Sequence, residues 1–158
     1  MLIRYFGHAL FQLTSADGYI VATDPYDASV GYPLPALEAN AVTISHDHHD
    51  HNNAALIRTP DKLVITRESF SAWKRELRPA KRLRIRAVET FHDDRGGALR
   101  GKNLMFVIDM DGVTVLHAGD LGHPLTAAQA REVGRVDVLL APVGGYYTIG
   151  AKEADDLR

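Results

Sequence analysis

The sequence predicts sheet packed with helices, an α/β or α+β layer design, and three observations carry that reading. The N-terminal third is a run of short β-prone segments, the remainder alternates helix-like and strand-like segments, and NLMFVIDMDGVTVLHAG (103–119) is a hairpin turning at Asp111-Gly112. Strands and helices that each bury one face stack in layers around a shared core. At 158 residues the length corresponds to one domain, 1–158, able to bury roughly 70% of its unfolded surface.

LIRYFG, ALFQLTS and YIVATDP are β-prone, and Ala16-Asp17-Gly18 between the last two supplies an Asp-Gly hairpin turn. From 26 to 37, Gly31, Pro33 and Pro35 mark an irregular loop. AVTIS (41–45) reads as a fully buried strand, and NNAALI as the first turns of a helix capped by Asn52 or Asn53. KLVIT (62–66) is a strand, and RESFSAWKREL sets Phe70, Trp73 and Leu77 at helical spacing. RLRIRAV alternates Arg with apolar residues, the pattern of a strand with one wet face. Beyond the hairpin, Thr126 caps a helix to about Val133, VDVLLAP is a buried strand, and AKEADDLR begins a helix that reaches Arg158 without a cap. From that ending we expect a shortened version of a longer fold.

With 46% hydrophobic and 24% charged residues the chain is of ordinary globular composition. No run approaches the ~18 apolar residues of a membrane span, and polar residues interrupt MLIRYFGHALFQL where a signal peptide needs an apolar stretch, so a cytoplasmic address is expected. There are no cysteines; a metal would be held by nitrogen and oxygen alone. A net charge of −2 exerts no general pull on nucleic acid. KRELRPAKRLRIR (74–86) nonetheless carries seven of the 18 Lys and Arg with one acid. A solvated or edge-strand face is the expected role of this run, with steering of an anionic substrate or RNA as the alternative.

The chemistry is concentrated in SHDHHDHNN (45–53), which follows the buried strand and contains four of the eight histidines. It holds the pattern HxHxDH. In an extended segment, residues two apart face the same way, so His46 and His48 can converge on one point while Asp50 and His51, at the turn, face a second. A solvated, metal-sticky loop is the bland alternative, but the end of a buried strand is where open α/β sheets place ligands. Two further candidates, His92 after RAVETF and Asp120 in LHAGDLGH, also follow strands.

HxHxDH, a later isolated His and a later Gly-Asp together resemble the metallo-β-lactamase superfamily of binuclear metallohydrolases. YFGHALF, the TDP of 23–25, HDDRGGALRGKN, HAGDLGH and APVGGYYTIGAKEA extend the similarity over nearly the whole chain. They look like the Zn-dependent hydrolase branch that contains the L-ascorbate-6-phosphate lactonases. The resemblance implies a four-layer αββα sandwich with metals at one edge, lacking in this chain its last strand or strands and helix. It puts His46, His48 and His92 on a first metal and Asp50 and His51 on a second, with Asp120 bridging. The family's remaining His ligand has no counterpart before Arg158. Asp24 resembles the family's supporting acid, holding a ligand histidine by its second nitrogen; opening the turn before Pro25 is an equal alternative.

Imidazole and carboxylate ligands suit Zn²⁺, one ion or two, with Mn²⁺, Fe²⁺ or Ni²⁺ as alternatives. The expected enzyme is a hydrolase that attacks with a metal-bound hydroxide. Its substrate is a small anionic or phosphorylated ester or lactone. Asp50 is expected to orient or deprotonate the water, and His123 is a catalytic candidate that could equally be structural. His8 is read as a satisfied structural group, His49 as solvated, His117 as packing, Asp93 and Asp94 as a solvated loop. Gly144 to Thr148 could offer backbone N–H groups to an anion or simply form a tight turn. The alternatives are a nuclease or phosphodiesterase of the same fold, disfavoured because no loop is long enough to grip RNA, and a non-catalytic metal-binding or assembly module. Partners are a small-molecule substrate and, through an exposed sheet edge, a second copy as a dimer, with no membrane.

Overall fold

The computed structural model describes residues 1–72 and 76–157. The chain divides into two compact units, Met1–Lys74 and Arg75–Arg158, each built on one five-stranded mixed sheet. No helix among the described residues is long and apolar enough to cross a membrane.

In the first unit, β1 (Leu2–Tyr5), β2 (Phe11–Thr14) and β3 (Ile20–Thr23) form the expected antiparallel meander. Gly18, at φ 86°, takes the left-handed conformation that its turn needs. β4 (Ala41–Thr43) and β5 (Leu63–Ile65) then join in parallel, giving the order β1-β2-β3-β4-β5. β3 and β4 therefore end side by side, and the Asp24 N–H donates to Thr43 O at 2.9 Å. Leu10, Ala22, Tyr26, Val42, Ile44 and Ile57 form the buried cluster of this unit. Buried Tyr26 donates from its hydroxyl to Phe6 O and Pro33 O, tying the irregular 26–37 loop to the end of β1.

Two local expectations fail for tertiary reasons. NNAALI makes only a 3-10 turn, Ala54–Leu56. Asn53 spends its amide on Tyr26 O instead of capping, and buried Ile57 is drawn out extended to bridge Leu37. Among the described residues the helix begun by RESFSA covers α1 (Arg67–Ala72), with Phe70 buried. Trp73 lies outside the described residues, and Leu77 belongs to a strand rather than a helix.

The second unit has the order β10-β9-β8-β7-β6, from β6 (Glu76–Ala80), β7 (Leu83–Phe91), β8 (Lys102–Met110), β9 (Val113–His117) and β10 (Val138–Leu140). The β8–β9 turn has φ 55° at Asp111 and 83° at Gly112, the positive pair that a two-residue type I′ hairpin requires. α2 (Ala127–Val133) starts with a capping box between Thr126 and Gln129, and α3 (Ala151–Asp155) follows the last loop. Val88, Met105, Val107, Leu116, Leu121 and Val133 pack in one apolar cluster with Ala154 of α3.

The basic run meets its expectation in part: β6 is the edge strand and Arg78 on it is exposed, whereas β7 lies between β6 and β8, so Arg84 and Arg86 do not line a sheet edge. Arg84 makes Nε and Nη2 contacts of 2.7 Å to Asp109. Arg86 donates to Glu132 O and Val133 O at 2.8 and 3.2 Å, satisfying carbonyls at the C-terminus of α2. β10, expected to be buried, is half-exposed; among the described residues it pairs with β9 alone.

These environments rank two substitutions. Leu116→Ala, at a fully buried site, is expected to cost about 2–5 kcal/mol. Arg84→Ala breaks a half-exposed pair and is expected to cost about 1 kcal/mol or less. Urea denaturation of both variants checks the order.

Candidate metal centre

The centre of the first unit is built around Asp24, fully buried at the end of β3 with φ 37°. Its Oδ1 accepts the Ser45 N–H at 2.8 Å, and its Oδ2 accepts the Ser45 hydroxyl and faces His51 Nδ1 at 2.9 Å. As a carboxylate, Asp24 only accepts, so His51 carries its proton on Nδ1 and turns the lone pair of Nε2 outward. Because the Ser45 hydroxyl proton is given to Asp24, Ser45 Oγ is left to accept from His46 Nδ1, 2.8 Å away. His46 therefore also carries its proton on Nδ1, leaving Nε2 unprotonated. One buried acid sets the tautomer of two imidazoles, directly for His51 and through Ser45 for His46.

His51 Nε2 lies 3.1 Å from His8 Nε2 and 3.7 Å from Asp50 Oδ2, while His8 Nε2 and Asp50 Oδ2 are 3.2 Å apart. Ligands at 2.0–2.2 Å from a tetrahedral ion are separated by roughly 3.3–3.6 Å. The observed triangle brackets that separation, so the donor set fits a small divalent cation in both chemistry and size. His8 is carried by a tight turn in which Gly7 has φ 103° and His8 φ 51°, closed by the Leu10 N–H on Gly7 O at 3.0 Å. Thr23 Oγ1 pins the turn to β3, accepting from Phe11 N and donating to Ala9 O. His48 is exposed, with its ring 4.5 Å from that of His46, centroid to centroid. His49 is 70% exposed at its side chain and points to Ser29 and Asp50 Oδ1, in keeping with a solvated residue.

In the second unit His92, at the end of β7, places Nε2 3.1 Å from Asp120 Oδ2. Two features outside the motif hold this pair. Buried Asn103 accepts the Asp120 N–H at 3.0 Å and donates to Thr90 Oγ1 and Ala118 O. Gly122 passes so close to the next backbone that a Cβ there would lie 2.4 Å from His92 C and Asp93 N. His123 has both ring nitrogens on the main chain: Nε2 accepts from Phe91 N at 3.2 Å, and Nδ1 lies 2.7 Å from Pro124 O. His117 is buried, as expected of a packing residue.

Asp93 departs from the expectation of a solvated loop residue: it is 2% exposed. Burial alone would raise its carboxyl, but the N–H groups of Arg100, Arg95, Gly97 and Leu99 all donate to it and bring it down to about 2. Its contribution to stability is therefore complete above the ordinary value of 3.8 and is lost as the pH falls toward 2. Asp93 organises the 93–101 loop, which returns to His92 through its N–H on Gly101 O. Asp94 is exposed. Gly144 bridges Gly150 in a tight turn that leaves Tyr146 and Tyr147 exposed, with the Arg100 guanidinium 5.0 Å above the Tyr147 ring.

Histidines with fixed Nε2 lone pairs next to a carboxylate, on loops at the ends of strands, define the layout of a metallohydrolase. The chain belongs to the β-lactamase superfamily: the model of the β-lactamase superfamily domain matches residues 2–158, which makes it a member of the metallo-β-lactamase superfamily of hydrolases. It is 30% identical to a protein of Methanoculleus marisnigri named UPF0173 metal-dependent hydrolase, over 98% of this chain and 73% of that protein. A crystal structure from Thermotoga maritima, described as of a Zn-dependent hydrolase of the metallo-β-lactamase superfamily, is 40% identical, with a TM-score of 0.70 over 98% of this chain and 68% of the other. Igni18 of Ignicoccus hospitalis, a metallo hydrolase, shares the fold at 24% identity, with a TM-score of 0.72 over 98% of this chain and 76% of the other.

The close approach at Gly122 generates a test. Gly122→Ala forces the 92–93 backbone away and is expected to cost about 1–3 kcal/mol, which urea denaturation of the metal-free protein measures. Wild-type stability in that variant would contradict the contact.

Proposed function

We propose that the chain is a metal-dependent hydrolase of small anionic esters or lactones, with His46, His48, His92, Asp50, His51 and Asp120 as its metal ligands. The observation that carries this reading is the pair of imidazoles, His46 and His51, whose Nδ1 atoms are both engaged so that Nε2 is the ligating atom of each. Metal-ligating histidines characteristically give their other N–H to a carboxylate or hydroxyl in this way. On ligand chemistry zinc is the first choice, as two ions or one.

A divalent ion held by these residues would supply Lewis acidity and bring the pKa of a water down to near neutrality. The remaining work falls to the chain's own groups. Asp50 turns Oδ2 toward His8 and His51 and Oδ1 toward the exposed His49; Oδ1, on the solvated side, is the oxygen that would orient the attacking water and accept its proton. Asn103 and Gly122 fix the backbone from which Asp120 and His92 project. We assign His123 to bracing rather than proton transfer, because both of its nitrogens already serve the main chain. Arg100, stacked on Tyr147, offers a positive charge on the loop that starts at His92. The preference for an anionic substrate rests on this charge and on the sequence resemblance to the L-ascorbate-6-phosphate lactonase branch.

Elemental analysis of the native protein, joined to assays on a phosphodiester and a lactone panel, tests the proposal. Stoichiometric zinc with turnover is expected; protein purified without metal and unable to take it up would overturn the reading. Asp24→Asn keeps the shape but offers an N–H to His51 Nδ1, and it is expected to weaken zinc binding about 10–100-fold, as read by competition with a chromophoric chelator.

A further inference from the structure

The geometry points to His8 as a metal ligand: its Nε2 completes, with Asp50 Oδ2 and His51 Nε2, a three-donor site for the second divalent cation. The inference rests on the metal-dependent reading above and adds to it a residue from the first turn of the chain, 43 positions from His51 in sequence.

Three independent features support it. The first is the triangle itself, with edges of 3.1, 3.2 and 3.7 Å. With Asp24 holding the proton of His51 on Nδ1, the His51 Nε2 lone pair points at His8 Nε2, and the Asp50 oxygen beside it is also an acceptor. In the metal-free chain a single His8 Nε2–H is shared between two acceptors. That is the position a cation takes over, since it accepts electron pairs from all three atoms at once.

The second feature is backbone cost. A non-glycine residue at positive φ is strained and persists where surrounding structure enforces it. His8 sits at φ 51°. The turn is held by Thr23 Oγ1 and by the Tyr26 hydroxyl on Phe6 O, and Tyr5 donates to His8 O itself. A histidine that merely filled space would not need three side chains to aim it. The third is access. The His8 and Asp50 side chains are 30% and 28% exposed while His51 is 0%, so the triangle is closed on one side and open on the other. That leaves a position for water or substrate, as a catalytic rather than a structural site requires.

The test uses the full chain, stripped with a chelator and titrated with Zn²⁺ and, as a spectroscopic probe, Co²⁺. His8→Asn is the informative variant, because Asn tolerates the left-handed conformation and keeps the turn. Wild type is expected to bind two ions. The variant is expected to retain the first and to bind the second about tenfold more weakly or worse, with loss of the corresponding Co²⁺ absorption and recovery on adding free imidazole. Two ions bound by His8→Asn with wild-type affinity would overturn the role of His8 and leave the hydrolase proposal standing, as would a weakened second ion that imidazole does not restore. A wild-type chain that binds neither ion would overturn both.

Discussion

The candidate centre depends on one buried carboxylate. Asp24 is removed from water at the junction of two parallel strands, where an isolated charge would be too costly to keep. The Ser45 N–H, the Ser45 hydroxyl and the His51 imidazole all donate to it. That offsets the cost and converts a short acid into a template. It determines which nitrogen of two histidines carries the proton, and hence which nitrogens face outward. Without it the same residues would be neighbours with no agreed direction. The spacing of HxHxDH brings candidate donors near one another; Asp24 gives two of them a fixed direction.

Around this anchor the chain accepts local strain. Among the described residues, three non-glycine positions have positive φ: Asp111, which serves a hairpin, and His8 and Asp24, which lie in the same cluster. Apart from the Asp111 hairpin, the positive-φ non-glycine residues among those described lie in the candidate site. In the second unit the corresponding device is steric. Gly122 admits the 92–93 backbone where any side chain would collide, and Asn103 takes up the Asp120 N–H from a buried position beside the apolar run of β8.

Features that depend on neighbouring residues are legible in the sequence. The Asp111-Gly112 turn, the Thr126 helix cap and the Asp17-Gly18 turn of the N-terminal meander each follow from a few adjacent residues. Where remote partners decide, local pattern fails. Ile57 leaves its helical register to bridge Leu37, and Leu77 pairs with Ile85 in a strand although its spacing from Phe70 is helical. The same division holds at the candidate site. The loop 45–53 displays its ligand types through spacing, whereas His8 reads as an isolated histidine because its partners lie more than forty residues away. A solvated loop is what HDDRGG predicts for Asp93, since nothing in that stretch signals that four N–H groups fold back onto it. Asn103, a polar residue at the start of an apolar run, is the one available hint of a buried bracket.

The central claim concerns protons, so the most direct measurement observes them. Long-range ¹H–¹⁵N correlation spectra of the metal-free protein distinguish the two imidazole tautomers by the shifts of Nδ1 and Nε2. Asp24 and Ser45 predict that His46 and His51 are both neutral and protonated on Nδ1. Finding either ring protonated on Nε2 alone would contradict the role of Asp24 as the group that sets both tautomers.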